Sequence, residues 1–425
     1  MKTIWLWNHY ATEMYKNQGG RHYWFAQNLI NKDYDATVFC ASTYHNKSEF
    51  IDTGKKKFAT DTINNIPFVF VKTTTALGNG LDRIKNMGLF YWNLFHVAKL
   101  YAKDYGKPDV IIASSVHPLT LVAGIQIAKR MKIPCICEVR DLWPEAIFSF
   151  NKARENSLLG KILLAGEHWI YKNSNALIFT KEGDTDYIKE KKWDTEQGGD
   201  INLDKAYYIN NGVDMEGFNK SIDEIKIEDE DLESGKFNVV YVGAIRPVNN
   251  VGNILDAAKL LKDNKEIQFL IYGDGNQKEM LEKRVDDEVL TNIKMKGFVN
   301  KQFIPYILSK SSVNILNYSN TQYNWTRGNS SNKLFEYMAS GKPIISTIKM
   351  GYSIIKKYKC GLELEDGTPQ ELAQAILKIK NMSSEEYELF GFNAKKGAEN
   401  FDIKVLTSKL IDVINRIDSQ SKNYD

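Results

Sequence analysis

Cysteine is scarce, with four residues (Cys40, Cys135, Cys137, Cys360) in a chain of 425. The Cys135/Cys137 pair lies inside the apolar run Ile133–Cys137, so buried strand cysteines are expected rather than a disulfide framework or a metal site, and a reducing cytoplasm follows. Net charge is nearly absent: the formal value is +3, too mild for a nucleic-acid partner. No apolar stretch approaches the roughly 20 residues needed to cross a bilayer, so membrane contact is expected to be peripheral. Met1–Trp7 carries a short apolar run broken by Asn8 and His9 and reads as a first strand, not a signal peptide. Neither G-x-G-x-x-G nor G-x-x-x-x-G-K-[ST] occurs, which argues against a dehydrogenase and a P-loop enzyme.

Apolar runs alternating with helical patterns are what the chain does contain, the mark of α/β parallel sheets with helices on both faces. In the first half, strands are expected at Thr3–Trp7, Ala36–Cys40, Phe68–Lys72, Val110–Ser114, Cys135–Val139, Ala176–Thr180 and Tyr207–Ile209, with helices such as Gly20–Ile30 and Leu119–Met131 between. The acidic stretch Ile222–Ser234 has little to bury and reads as an exposed linker, with Asp229–Asp231 a solvated face. The pattern then restarts, with strands at Asn238–Val242, Gln268–Tyr272, Ile293–Lys296, Val313–Leu316 and Pro343–Ser346 and helices at Val251–Leu261, Gln277–Val285, Gln302–Leu308 and Asn332–Ala339. A length of 425 residues and two such series predict two domains. A last amphipathic helix spans Val405–Ile417.

Ligands in such sheets sit beyond the carboxyl ends of the strands. The segment Ser330–Ile345 combines helix-capping serines, an apolar helix face and a Gly341/Pro343 stop before a strand. Its polar end holds free N–H groups, Lys333 and Glu336, a setting for an anion and a vicinal diol. An ordinary capped helix with Glu336 in a capping box fits the same letters. Gly19-Gly20 precedes a helix and lets backbone approach a phosphate. Arg246, after the strand ending Val242-Gly243, could offer its planar fork to phosphate oxygens. Gly273 and Gly297-Phe298-Val299 end two more strands, on a rim where backbone groups could meet a nucleobase. In the first half, His117 and the run Arg140-Asp141-Leu142-Trp143-Pro144-Glu145 also follow strands, and such groups are costly to bury unpaired.

In this order, Gly19-Gly20, the His117 loop, Asn210-Asn211-Gly212-Val213-Asp214, Val242-Gly243, Tyr272-Gly273-Asp274-Gly275, Gly297-Phe298-Val299 and Asn332–Pro343 resemble the retaining family-4 glycosyltransferases of GT-B fold, over nearly the whole chain. Glu138–Glu145 looks like the acceptor-side segment of the bacterial branch that builds O-antigens and capsules, including N-acetylfucosamine transferases. The resemblance implies two Rossmann-like domains facing across a cleft: an acceptor-binding domain over 1–218, a nucleotide-sugar-binding domain over 219–400, and a helix, 401–425, that crosses back. It implies that Glu336 binds the donor ribose, that Gly19 and Gly20 approach the diphosphate, and that Arg246 and Lys333 neutralise it. Gly273, Phe298, Val299, Arg327, Ser331 and Asn332 complete the donor site. His117 lies near the transferred sugar, and with Arg140, Asp141 and Glu145 faces the acceptor; the catalytic residues are then His117, Arg246 and Lys333. Two positions depart from the family pattern. Gly328 stands where the first glutamate of E-x7-E usually lies, and Ala244 and Asn249-Asn250 replace the usual arginine and lysine.

The expected reaction is retaining and metal-independent transfer from a nucleotide diphosphate sugar, UDP-linked, to a lipid-linked saccharide at the cytoplasmic membrane face, with no cofactor. Preorganised cations and N–H donors can stabilise the departing diphosphate without a metal. Asp184 and Asp186 begin a helix, where carboxylates are expected, and are not read as a metal-binding D-x-D. Arg83, Lys85, Lys99, Lys103 and Lys107 around the aromatic run Leu89–Phe95 suit anionic headgroups, and a core helix with solvated flanks fits the same pattern. A nucleotide-sugar epimerase of the UDP-N-acetylglucosamine 2-epimerase type and a non-catalytic sugar-nucleotide binding module are the alternatives.

Overall fold

A computed structural model describes residues 1–78, 80–149, 154–320 and 325–422. The chain forms two compact units, 1–210 with 406–425, and 211–405. The passage between them therefore falls at Asn210 and Asn211, ahead of the boundary expected after residue 218.

The first unit is built on eight strands: β1 (Thr3–Asn8), β2 (Asp35–Ala41), β3 (Phe58–Ile63), β4 (Ile66–Val71), β5 (Val110–Ser114), β6 (Cys135–Val139), β7 (Ala176–Phe179) and β8 (Ala206–Tyr208). Their spatial order is β3-β4-β2-β1-β5-β6-β7-β8. All pairings are parallel except β3 with β4. The central strands are buried along nearly their whole length, which is why they read as continuous apolar runs. Trp5 and Trp7 of β1 are fully buried against Phe39 of β2, at ring separations of 4.8 and 5.8 Å. The β3–β4 hairpin turns at Asn64-Asn65, both with positive φ, a conformation that asparagine tolerates. β3 was not expected, because its exposed edge sequence lacks an apolar stripe.

In the second unit β9 (Phe237–Val242), β10 (Ile267–Tyr272), β11 (Ile293–Gly297), β12 (Val313–Leu316), β13 (Ile344–Ser346) and β14 (Gly361–Glu363) form an all-parallel sheet ordered β11-β10-β9-β12-β13-β14. The chain order reverses between β1 and β5 in the first sheet and between β9 and β12 in the second. Crevices open at such reversals, at the carboxyl ends of the strands.

One expectation is corrected. The stretch Ile222–Ser234 is no exposed linker. Its first residues end the helix Met215–Glu224, Leu232 is buried, and Asp229 accepts from the Tyr272 hydroxyl at 2.7 Å and pairs with Lys296. Lys296 also reaches Asp231, and Gln268 donates to the Asp231 carbonyl. The acidic segment is pinned to β10 and β11 because those strands carry the cation and the donors it needs. The helix Leu81–Tyr105 is mainly a core element: Phe90 and Leu94 are fully buried. Arg83 donates to Tyr10, His45 and Asn46 within the unit. Trp92 is the aromatic of that run left exposed, at 70%. Among the described residues no helix is long and apolar enough to cross a membrane. The last helix spans Ile403–Lys422, and Lys2 reaches Asn415 at 3.1 Å and Asp418 at 3.2 Å.

Candidate functional site

In the second unit the reversal between β9 and β12 is occupied by the helix Asn332–Ala339. The Tyr337 hydroxyl accepts from the Val242 N–H at 3.1 Å and donates to its carbonyl at 3.2 Å. Pairing of β9 with β12 ends at Val240↔Asn314, so Tyr337 takes over backbone groups that the sheet has released. That clamp fixes the helix start. Ser331 is its N-cap and makes no side-chain cap bond; the Ser331 N–H goes to Asn329 at 2.6 Å, and Asn211 holds the Ser330 carbonyl at 2.6 Å. With the cap at Ser331, the third helical position is Leu334. Glu336 is therefore not a capping-box residue, and the first N–H groups of the helix lack side-chain caps.

Lys333 projects from this start over two rings, 4.9 Å from the centre of Tyr241 and 4.5 Å from Tyr318. Its ammonium lies 3.4 Å from the Tyr241 hydroxyl. Burial pulls the ammonium down to about 7, against the opposing pull of Glu336. Burial also pushes the Glu336 carboxyl up, partly offset by Lys301, whose Nζ is 3.8 Å away, and by Lys333. A desolvated cation, free N–H groups and a carboxylate within one helical turn suit an anion bonded to a diol.

The glycines around this turn are dictated by close approach. A Cβ on Gly243 would lie 2.9 Å from Lys333 Cδ, and one on Gly273 would fall on the Gly243 carbonyl oxygen. The Gly273 N–H donates to Gly297 at 2.7 Å, so the ends of β9, β10 and β11 meet backbone to backbone. Phe298 stands on that rim 72% exposed, with Val299 half-buried beside it. Arg246 is exposed on the loop after β9 and Asn332 is exposed at the helix start. Arg327 is buried at the end of the short turn Trp325–Arg327. Gly328 has φ of 100°, a conformation that disfavours the glutamate of the family pattern.

In the first unit the reversal between β1 and β5 brings His9 and His117 together. Each follows one of those strands, and Nδ1 of His9 lies 2.6 Å from Nε2 of His117. Both rings are buried, His117 to 1% exposure, and His9 stacks on Phe90 at 4.4 Å. Burial drives His117 down to about 3 and His9 well below its ordinary value, His9 helped by the charge of its partner. The pair is neutral, one imidazole donating and the other accepting. Next to it Glu138 of β6, fully buried, accepts from Arg21 at 2.8 Å and Ser114 at 2.7 Å and lies 3.1 Å from His22. Burial opposes the charge of Glu138, yet Arg21 and His22 outweigh it and hold the carboxyl well below the usual range. Arg21 also donates to the carbonyls of Ile209 and Asn210. This network anchors the helix Arg21–Ile30, whose N-cap Gly20 has φ of 112° and makes no side-chain cap bond. A Cβ on Gly19 would meet only ordinary contacts.

The loop of the acceptor residues named from sequence is tied to the His117 loop, through Ser115 and through Trp143, which donates to the Val116 carbonyl at 3.1 Å. The Arg140 N–H donates to Ser115 at 2.9 Å and its carbonyl accepts from Thr180 at 2.9 Å. Asp141 is exposed and lies 3.3 Å from Lys181, while Glu145 is half-buried in the first turn of the helix Trp143–Ser149. His9, Tyr241, Tyr318 and Tyr337 escaped the sequence reading. The one signal they offer is position: three of them sit at or just beyond a strand's carboxyl end.

Two parallel-sheet α/β units in series, each with an order reversal that gathers polar groups, define a fold of GT-B type. HepE of Anabaena, solved in complex with UDP, is similar with a TM-score of 0.65 at 14% identity, over 98% of this chain and 100% of that one. The α,α-trehalose 6-phosphate synthase of Burkholderia multivorans is similar with a TM-score of 0.70 at 12% identity, over 99% of each chain. Residues 222–397, within the second unit, match the family described as glycosyl transferases group 1. Over 115 residues the chain is 28% identical to the 2-deoxystreptamine N-acetyl-D-glucosaminyltransferase of Niallia circulans, an overlap that spans 27% of this chain and 28% of that relative's length.

Proposed function

We propose that this protein is a retaining glycosyltransferase that moves a sugar from a UDP-sugar to a lipid-linked saccharide for a bacterial surface polysaccharide, in the cytoplasm at the inner membrane face. The carrying observation is the desolvated Lys333 ammonium beside Glu336 at an uncapped helix start. The group 1 match and the UDP complex of HepE support the donor class. In this reading Glu336 accepts from the ribose diol and the uncapped N–H groups hold the diphosphate with Lys333 and Arg246. Phe298, Val299 and the glycine rim receive the base, with Arg327, Ser331 and Asn332 around them. Gly19 and Gly20 approach the diphosphate, His117 lies against the transferred sugar, and Arg140, Asp141 and Glu145 serve the acceptor. As the bond from the sugar C1 to the diphosphate oxygen breaks, its electron pair stays on the diphosphate. The acceptor oxygen bonds C1 on the same face and passes its proton to the departing diphosphate oxygen. Fixed cations and N–H groups stabilise the developing charge in a dry site without reorganisation.

Glu336→Ala is expected to weaken UDP binding by about 10–100-fold, the loss of a charge-assisted hydrogen-bonded pair. His117→Ala leaves UDP binding intact and lowers turnover by about 100-fold, the scale of a misplaced reacting group. Calorimetry and a mass-spectrometric transfer assay with an undecaprenyl-diphosphate saccharide measure the two. Unchanged UDP binding by Glu336→Ala overturns the ribose assignment. A sugar altered with no acceptor present indicates an epimerase, and activity abolished by EDTA and restored by magnesium contradicts metal independence.

A further inference from the structure

At the amino ends of the strands of the first unit, away from His9 and His117, a cavity of about 490 Å³ opens. Thr3 begins β1 and His9 follows its last residue, so six steps of about 3.3 Å put the cavity wall roughly 20 Å from the histidine pair. The donor chemistry and the acceptor loop leave it unused. Its volume falls within the ~300–1,000 Å³ of pockets that take a small ligand.

The cavity exists because a helix ends over a sheet. Strand register sets Asp35 beside Thr3, Thr37 beside Trp5 and Thr62 beside Pro67, and alternation puts Thr3 and Trp5 on one face of β1. The helix Leu81–Tyr105 covers that face with Tyr101, whose ring lies 5.6 Å from Trp5, and then stops. Tyr105 stacks on Tyr101 at 4.4 Å and stays 64% exposed, so an aromatic face borders the cavity.

The polar groups along the wall are not closed on one another. Thr37 is 3% exposed, yet its Oγ1 lies 3.5 Å from the Tyr101 hydroxyl, and Thr3 Oγ1 lies 3.4 Å from Asp35 Oδ2. Full O–H···O bonds run at about 2.5–3.0 Å, and buried polar groups ordinarily make them. The two long contacts leave three hydroxyls and the Asp35 carboxylate with bonding capacity toward the cavity. Asp61 is committed, held by the Tyr15 hydroxyl and the Thr62 N–H. None of the described lining residues is a cation. Hydroxyls that both donate and accept, a carboxylate and a tyrosine face complement a ligand with hydroxyls on its edge and C–H bonds on its face. Two carboxylates without a cation turn away a phosphate-bearing one.

We infer that this cavity is a docking site for a neutral pyranoside, remote from the reacting groups and independent of the transferase reading. Saturation-transfer difference NMR on the full chain, with saturating UDP present, titrates the methyl α-glycosides of glucose, galactose and N-acetylglucosamine. At least one is expected to saturate at about millimolar concentration. Tyr105→Ala and Asp35→Asn each weaken it by about tenfold, through loss of the aromatic face and of the charged acceptor, and UDP binding is kept. Thr37→Val weakens it likewise while its melting temperature holds or rises, because a methyl replaces a buried hydroxyl that lacks a full bond. Saturation by none of the three glycosides, or binding unchanged in all three variants, overturns the proposal. So does a response to glucosamine alone, or glucose 6-phosphate binding as tightly as the neutral glycoside. A fall in the melting temperature of Thr37→Val shows a hydroxyl already bonded and removes its basis. If the variants lose the glycoside but no sugar reaches any acceptor, the docking site stands and the transferase reading falls.

Discussion

Lys333→Met lowers kcat by about 10²–10³-fold, the scale of losing one preorganised group that stabilises a transition-state anion, and it does so without destabilising the fold. Methionine keeps an aliphatic stem against Tyr241 and Tyr318, and removes an ammonium that burial already disfavours. The sign follows from the direction of the shift. A lysine whose folded value falls to about 7, below its unfolded value, binds fewer protons folded than unfolded between the two, so wild-type stability rises with pH across that window. The thermal advantage of Lys333→Met is therefore fullest below about pH 7 and gone above roughly pH 10.4. A bound diphosphate restores the charge, so UDP binding takes up a proton at pH 8, and affinity falls by up to about tenfold per pH unit above the lysine's value. Calorimetry in two buffers of different ionisation enthalpy reads that proton. If none is taken up, the diphosphate does not sit on Lys333.

Glu138→Ala costs about 3–5 kcal/mol, because it strands Arg21 as a buried charge without its carboxylate. At about 2–4 °C per kcal/mol for a unit of this size, the melting temperature falls by roughly 6–20 °C. The double variant Arg21→Met, Glu138→Met is expected to recover most of the loss, since neither charge then remains. A double variant no better than Glu138→Ala would mean that the carboxylate acts through Ser114 and His22 instead. Acid separates this pair from the histidines. His9 and His117, held low, contribute stability that is full above about pH 6.5 and is lost as pH falls, at up to about 1.4 kcal/mol per pH unit for each. Glu138, held below the usual carboxylate range, adds a loss that begins only below about pH 4.3. Denaturant midpoints between pH 7 and pH 4 thus decline in wild type and, from a lower start, in Glu138→Ala alike, and the gap between them narrows only at the acid end.

Much of this was legible because it is local. Buried parallel strands need continuous apolar runs, and β1, β5, β6, β9 and β10 were read from theirs. The short β14 and the polar edge β3 carry no such run and were missed. Glu336 is three residues after Lys333, and helical periodicity alone puts them on neighbouring positions of one face. The acidic segment failed for the opposite reason: its composition says solvent, but Tyr272, Gln268 and Lys296 come from strands some way along the chain and satisfy it. His117 was picked out as one histidine in a loop, and its partner His9 was passed over as a break in the first strand.

By itself, the sequence determined two parallel α/β series, the glycine-ended strands, and a helix start bearing Lys333 and Glu336, since periodicity, turn chemistry and close approach act over a few residues. Only the tertiary structure decided which strand ends became neighbours. Desolvation and long-range pairing then pulled the Lys333 ammonium down to about 7, made His9 and His117 a neutral pair, and Glu138 a committed charge, because a side chain's ionisation depends on everything packed around it and not only on the residues beside it in the chain.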